Sequence, residues 1–310
     1  MIPLAYLQAW SANVPWPNLL QVEQDLIISR ALCDLFNSPA LSGCIAFRGG
    51  TAIHKLLFEK PLRYSEDIDL VQIRPGPIGP TVDAIRQALE WLGSPGRQQA
   101  GHSMHLNYRF VPEENPGSRL KLKVEINTRE HENLFGIRHY PFAVDNDWYR
   151  GKVEIASFEP EELFGTKLRA LLQRRKNRDL FDLGQGLDQL QLDVSKLLAS
   201  FNHYLALEGA PMTRAVAEQR MLEKLTRSLT RDIAPLLPAG VSFDDEAALR
   251  AFERVWTELV SQLRGEGWKS TEKAVAELRA AGLPSLLAGM TPDTFHDEVD
   301  FGAPMGKEIW

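Results

Sequence analysis

Cysteine is scarce: only Cys33 and Cys44 occur in 310 residues. Both lie in apolar surroundings, which excludes a disulfide framework or a cysteine-bound zinc. They read as buried small hydrophobes of a reducing compartment. Long apolar runs are missing too. None approaches the ~20 residues that a membrane span requires. The first residues lack a basic stretch followed by an apolar one, so no secretory leader is expected and the expected location is the cytoplasm. Neither charge sign is in large excess. The net charge of −6 argues against bulk, nonspecific coating of nucleic acid while allowing a local basic cleft. Histidines in metal-binding spacing are also absent. His54, His102, His105, His131 and His139 read as structural, and no nucleophile–histidine pair with triad logic is present.

What remains is an ordinary globular composition, 44% hydrophobic and 25% charged, able to bury a normal core. Apolar positions at helical spacing predict a helix over 19–36, and the stretch from Cys44 predicts a short buried strand ending in a glycine turn. A helix is expected from Thr51 to Phe58 with Thr51 as its N-cap. Alternation predicts strands at 67–73, 105–111 and 120–127, with a helix over 80–92. A turn of Asn115, Pro116 and Gly117 joins the last two strands as a hairpin. After Pro160 the pattern is helical: 160–175, 178–190, 194–208, 213–230 and 244–264, more weakly 271–281, with an irregular tail after Leu283. The fold class is therefore α+β. A mixed α/β region spans 1–157, and a helical region spans 158–310.

The stretch FRGGTAIHKLLFEKPLRYSEDIDL, residues 47–70, carries the chemistry. Asp67 and Asp69 are two apart on a strand and so share a face. Two such carboxylates repel unless a cation lies between them, and hard oxygen donors suit Mg²⁺. Alone, this pattern equally describes a solvated strand edge. Gly49 and Gly50 sharpen it. They sit between a strand and a helix, where backbone can approach phosphate and helix N–H groups are free. The spacing is neither that of a Walker loop nor that of a dinucleotide fingerprint. An anion cradle followed by metal-binding acids is what phosphoryl transfer needs. Glu125 projects from the polar face of LKLKVEIN beside Lys123 and is a candidate third ligand or proton acceptor. It reads equally as an exposed acid of a Lys/Glu strand.

A second cluster lies in FGTKLRALLQRRKNRDLFDL, residues 164–183. Six basic residues and no acid occur from Lys167 to Arg178. If one helix runs unbroken, Lys167, Arg174 and Arg178 share a narrow sector, with Leu168, Leu171 and Leu172 seating it. Asp179 and Asp182 are placed to hold these cations. A solvated, ion-paired helix is the plainer reading.

These two motifs resemble the DNA polymerase β-like nucleotidyltransferases, and within them the AbiEii/AbiGii and MenT toxins. The resemblance covers about residues 20–190. It implies a nucleotidyltransferase core over 1–157 and a helical domain over 158–310 that adds basic and acidic site residues. It implies the toxin of a toxin–antitoxin locus, often linked to phage defence, with NTP as co-substrate, Mg²⁺ as cofactor and a cognate antitoxin as partner. MenT members add nucleotides to the acceptor end of tRNA and so block translation. By position, Asp67, Asp69, Lys167 and Asp179 are the implied catalytic residues, with Asp182 the alternative to Asp179. Asp67, Asp69 and Glu125 are the implied metal ligands. Arg48, Gly49, Gly50, Thr51, Ser65, Lys167, Arg174 and Arg178 are the implied nucleotide contacts. Glu23 and Asp25 fall where the family often carries a charged pair. Protein or small-molecule acceptors, and a nucleotide-binding module without turnover, are the alternatives.

Overall fold

The computed structural model describes residues 2–112, 117, 119–225, 229–268 and 276. It divides into two compact units. The first runs from the N-terminus to Leu163 and takes in Leu236–Val241; the second begins at Phe164 and resumes at Ser242. The junction with the hairpin turn (Asn115, Pro116), the weak helix at 271–281 and the tail after Leu283 lie outside the described residues, apart from Gly117 and residue 276.

The first unit opens with helices α1 (Leu4–Trp10) and α2 (Leu19–Phe36). Strand β1 (Ile45–Arg48) leads directly into α3 (Gly49–Leu56), and β2 (Asp67–Gln72) follows. Then come α4 (Ile78–Ala88), β3 (Gly96–Ala100), β4 (Ser103–Phe110), β5 (Leu120–Asn127), β6 (Ile137–Asn146) and β7 (Tyr149–Phe158). Among the described residues these strands make one seven-stranded sheet in the order β3-β4-β5-β2-β1-β7-β6. The pairs β1–β7 and β2–β5 are parallel and the others antiparallel. Period-two alternation sends Ile68, Leu70, Leu122, Val124 and Ile126 into the core, where apolar burial is the main stabilising term. The charged partners on β2 and β5 are left on the opposite face.

Several expected boundaries shift for identifiable reasons. The helix after β1 begins at Gly49 with Arg48 at the cap position, so Thr51 is not an N-cap but lies within the first turn. Helix α4 starts before Pro80, because a proline in the first turn forfeits no internal hydrogen bond. Residues 137–158, for which the sequence gives no strand expectation, form the β6–β7 hairpin. Pro141 interrupts the strand signal there, yet it is tolerated because β6 is an edge strand. The Asn146 side-chain oxygen accepts from the Trp148 amide at 2.9 Å and shapes the hairpin's two-residue turn. Strand β3 is almost wholly exposed and carries no apolar alternation, so periodicity could not reveal it.

A buried acid fastens the elements that bear the glycine loop. Asp25, on α2, accepts from the indole N–H groups of Trp10 and Trp16, each at 3.1 Å. It also pairs with Lys55 on α3 at 3.0 Å. Gln24, beside it, donates to the carbonyls of Glu66 at 3.3 Å and Lys121 at 3.1 Å, tying the approach to β2 to that of β5.

The second unit receives most of α5 (Pro160–Gln173), followed by α6 (Arg178–Gln189), α7 (Val194–Leu207), α8 (Arg214–Leu225) and α9 (Asp245–Glu258). Leu168, Leu171 and Leu172 are buried and seat α5 as its spacing predicts. Gly186 permits close packing against Phe164: a Cβ there would come within 2.3 Å of the ring.

Breaking a buried ion pair strands its surviving charge, at a cost of about 3–5 kcal/mol. Asp25→Ala should therefore lose at least about 3 kcal/mol in urea unfolding, whereas Asp25→Ala/Lys55→Met should recover part of that loss. Equal stability of the single and double variants would show that this pair does not fasten α3.

Candidate active site

One level of the sheet carries a charged row across four strands. Arg48 on β1 lies opposite Asp69 on β2. Asp69 is in register with Glu125 on β5, and Glu125 lies opposite His105 on β4. Partners in register share a face, so this face reads Arg, Asp, Glu, His. One step along, Asp67 is in register with Lys123. The structure thus gathers Asp67, Asp69 and Glu125 on adjacent strands, as the sequence suggested. The Asp67 side chain is 36% exposed, so the cluster is open to a ligand.

The ends of the row are neutralised. Arg48 forms an ion pair with Glu130, so its guanidinium has an acidic partner within the unit. His105 Nε2 lies 3.3 Å from Glu125 Oε2. Lys123 Nζ bridges the two steps, 3.1 Å from Asp67 Oδ2 and 3.2 Å from Glu125 Oε2. Burial opposes the charged form of Lys123, but Asp67, Glu125 and Asp69 outweigh it and raise its pKa above the ordinary lysine value. Burial likewise works against ionised Glu125. Lys123 and His105, with a hydrogen bond from Ser103, prevail and hold its pKa below the usual carboxylate value.

Both glycines answer to close neighbours. Gly49 has φ +82°, and a Cβ there would lie 1.9 Å from Asp69 Oδ2. The Asp69 carboxylate therefore packs directly against the loop backbone. A Cβ on Gly50 would come within 2.5 Å of Arg63 Nη2. Arg63 is buried and donates to the Tyr64 carbonyl at 3.1 Å. Thr51 is 1% exposed. Its hydroxyl lies 2.5 Å from the Asp67 carbonyl, to which it donates, and 2.7 Å from Ser65 Oγ. The Thr51 hydroxyl therefore latches α3 to β2 and does not face a ligand. No side chain caps α3, and its first turn contains no acid. Its leading amides are thus suited to an anion.

The donor set fits a hard divalent cation. All three acids offer oxygen, and the space that Gly49 leaves open is filled by a carboxylate oxygen. Among the described residues no three acidic, imidazole or thiol side chains converge as a finished cage. Mg²⁺ does not need one, since it takes one or two carboxylates and completes its shell with phosphate and water.

In the second unit Lys167 Nζ lies 2.8 Å from Asp179 Oδ1 and 3.0 Å from Asp182 Oδ2. Both aspartates are fully buried. Burial disfavours ionised Asp179, but Lys167 and then Arg174 overcome it and lower its pKa. The helix does not run unbroken through the basic cluster. The chain leaves helical geometry between Gln173 and Arg178, and Lys224 donates to the freed carbonyls of Arg174 and Lys176. Arg174 and Arg178 consequently do not extend one face with Lys167.

No sequence pattern singles out Lys123, His105, Glu130 or Arg63 as site residues. Strict Lys/Glu alternation was the available signal for Lys123. Placing His105 required the hairpin register, while the Arg48–Glu130 contact spans 82 positions with no local signature.

Gly49→Ala should force Asp69 aside and cost about 2–3 kcal/mol in urea unfolding, from backbone strain plus steric overlap. Gly43→Ala, also at positive φ but with nothing near its Cβ, should cost about 1 kcal/mol. Equal losses would assign the whole effect to strain. In the second unit, Lys167→Met should cost about 3–5 kcal/mol by removing the ammonium that two buried acids share. The Asp179 pairing contributes fully above the unfolded carboxylate value near pH ~4 and is lost as pH falls through the lower folded value. Wild-type protein should therefore lose more stability than Lys167→Met between pH 7 and pH 3.

Residues 30–262 match the family described as nucleotidyl transferase AbiEii toxin, type IV TA system. No curated protein matches the chain. Among solved structures, MenT4, a nucleotidyltransferase toxin of Mycobacterium tuberculosis H37Rv, superposes with a TM-score of 0.59 at 16% identity, covering 93% of this chain and 99% of its own. A protein of H. pylori, described as a candidate nucleotidyltransferase, gives 0.44 at 15% identity, covering 80% and 99%. The MenT4 likeness bears on the fold, and the family match spans most of the sequence. The chain belongs to the AbiEii nucleotidyltransferase toxin family.

Proposed function

We propose that this toxin transfers a nucleoside monophosphate from an NTP to a hydroxyl at the 3′ end of tRNA, in a Mg²⁺-dependent reaction that stops translation. The observation supporting this most is the placement of Asp67, Asp69 and Glu125 on adjacent parallel strands, beside a glycine loop that the Asp69 carboxylate itself touches.

Asp67 and Asp69 would hold Mg²⁺ with Glu125. When bound, the ion supplies charge neutralisation and alignment of the phosphates. The loop at Gly49 and Gly50 offers backbone N–H groups to the triphosphate, and the α3 dipole favours its charge. Arg63, against Gly50, fixes the loop from behind. Glu125, kept ionised by Lys123 and His105, is the group placed to take the proton of the acceptor hydroxyl. The hydroxyl oxygen bonds to the α-phosphorus, and the bond to pyrophosphate breaks. In the second unit Lys167, held by Asp179 and Asp182, is a fixed cation suited to phosphate. Arg174 and Arg178 supply further positive charge for the RNA backbone. A cognate antitoxin restrains the activity, and the locus serves phage defence.

The test is incubation with each α-labelled NTP, Mg²⁺ and bulk tRNA. Label should enter RNA and depend on Mg²⁺. Asp67→Asn and Asp69→Asn should each lower transfer by about 10²–10³-fold, as loss of a central charge-stabilising group does, with unchanged circular dichroism. Growth inhibition should vanish with it. Undiminished labelling by folded Asp67→Asn would sink the mechanism. Label found in protein or small molecules instead would move the acceptor and leave the reaction centre standing.

A further inference from the structure

Lys123 stands where a divalent cation would be drawn. Its ammonium contacts Asp67 and Glu125 at 3.1 and 3.2 Å, while Asp69 lies beside Glu125 in register. Asp69 and His105 flank this point, yet among the described residues no three acidic, imidazole or thiol side chains form a finished metal cage. The three side chains are partly exposed, at 25% for Lys123, 36% for Asp67 and 31% for Glu125. Lysine has a flexible four-carbon stem and a compact charge, so it can leave this position without breaking a buried pair. Its strand is anchored independently of that contact, because Leu122 and Val124 on either side are fully buried.

We propose that Lys123 is a tethered counter-cation that occupies the divalent-metal site of the nucleotide-free toxin and is displaced when the metal enters. The proposal rests on the metal-dependent reading above and extends it. An internal competitor lowers apparent metal affinity by the fraction of time the site is free. The free metal ion therefore binds weakly. A metal–NTP complex binds well, because the triphosphate adds negative charge and the α3 amides receive it. Asp67 and Glu125 remain neutralised in the resting protein, and the displaced ammonium stays protonated in solvent.

Mn²⁺ alone, without nucleotide, is the probe, with free ion measured by electron paramagnetic resonance on the full chain. Lys123→Gln should bind Mn²⁺ about tenfold more tightly than wild type, as expected if the ammonium occupies the site about nine-tenths of the time. Lys123→Met, which keeps the aliphatic stem, should do the same, whereas Lys123→Arg should stay near wild type. Adding Asp67→Asn to Lys123→Gln should abolish the gain. Without metal, Lys123→Gln should melt below wild type, and Mn²⁺ should raise its melting temperature more than that of wild type. If both folded neutral variants bind Mn²⁺ through Asp67 no more tightly than wild type, the competitor role is overturned and the metal site stands. If neither wild type nor the variants bind Mn²⁺ in an Asp67-dependent way, even with NTP, the metal reading falls and the competitor role falls with it.

Discussion

Like-charge crowding governs the first unit. Parallel pairing of β2 with β5 sets Asp69 beside Glu125 with Asp67 one step away. Three carboxylates at strand spacing destabilise one another unless compensated. The sheet compensates by register. His105 faces Glu125 from β4, Arg48 faces Asp69 from β1, and Lys123 alternates into the gap on β5. Remaining negative charge is directed toward solvent and toward the uncapped start of α3. Concentrated acid on one face is costly in a resting protein unless it is compensated.

The supporting structure follows from holding that arrangement still. Asp69 can rest against the loop only because Gly49 lacks a side chain and adopts φ +82°. The loop keeps its place because Arg63 backs Gly50 and because Thr51 is hydrogen-bonded to the Asp67 carbonyl. Helix α3 is in turn fixed by the Lys55–Asp25 pair. Gln24, next to Asp25, spans the approaches to the two acid-bearing strands. The short charged stretch of α2 is thus a buried brace under the site and is not part of the reacting surface.

What the sequence revealed depended on the range of each interaction. Asp67 and Asp69 are two apart, and their shared face needs only strand geometry. Glu125 was identifiable as a candidate from clean alternation, yet its register with Asp69 depends on a crossover longer than any local pattern. Glycines at 49 and 50 suggested a phosphate loop, but their immediate cause is steric and comes from Asp69 and Arg63. A break in the basic run is expected between 175 and 178, and the structure widens it to residues 174–177. The carbonyl contacts of Lys224 that hold this break come from about 50 residues away. The β6–β7 hairpin was hidden by Pro141, which only its edge position excuses.

Two lysines in this chain each sit between two acids, and their different exposure gives the pairs different chemistry. Lys167 with Asp179 and Asp182 is buried, the aspartates almost completely. Removing that ammonium would leave charge in a low-dielectric interior, so its position is fixed by the cost of leaving. Lys123 with Asp67 and Glu125 has the same charge arithmetic on an open face. Water partly screens the acids if the lysine departs, so this pair costs less to open than the buried one. The same triad is therefore a permanent fixture in the interior and an exchangeable one at the surface. Exchangeability is what a site needs if it is to stay neutralised at rest and still admit a metal with its nucleotide. Burial, more than residue type, thus fixes Lys167 in place and leaves Lys123 exchangeable.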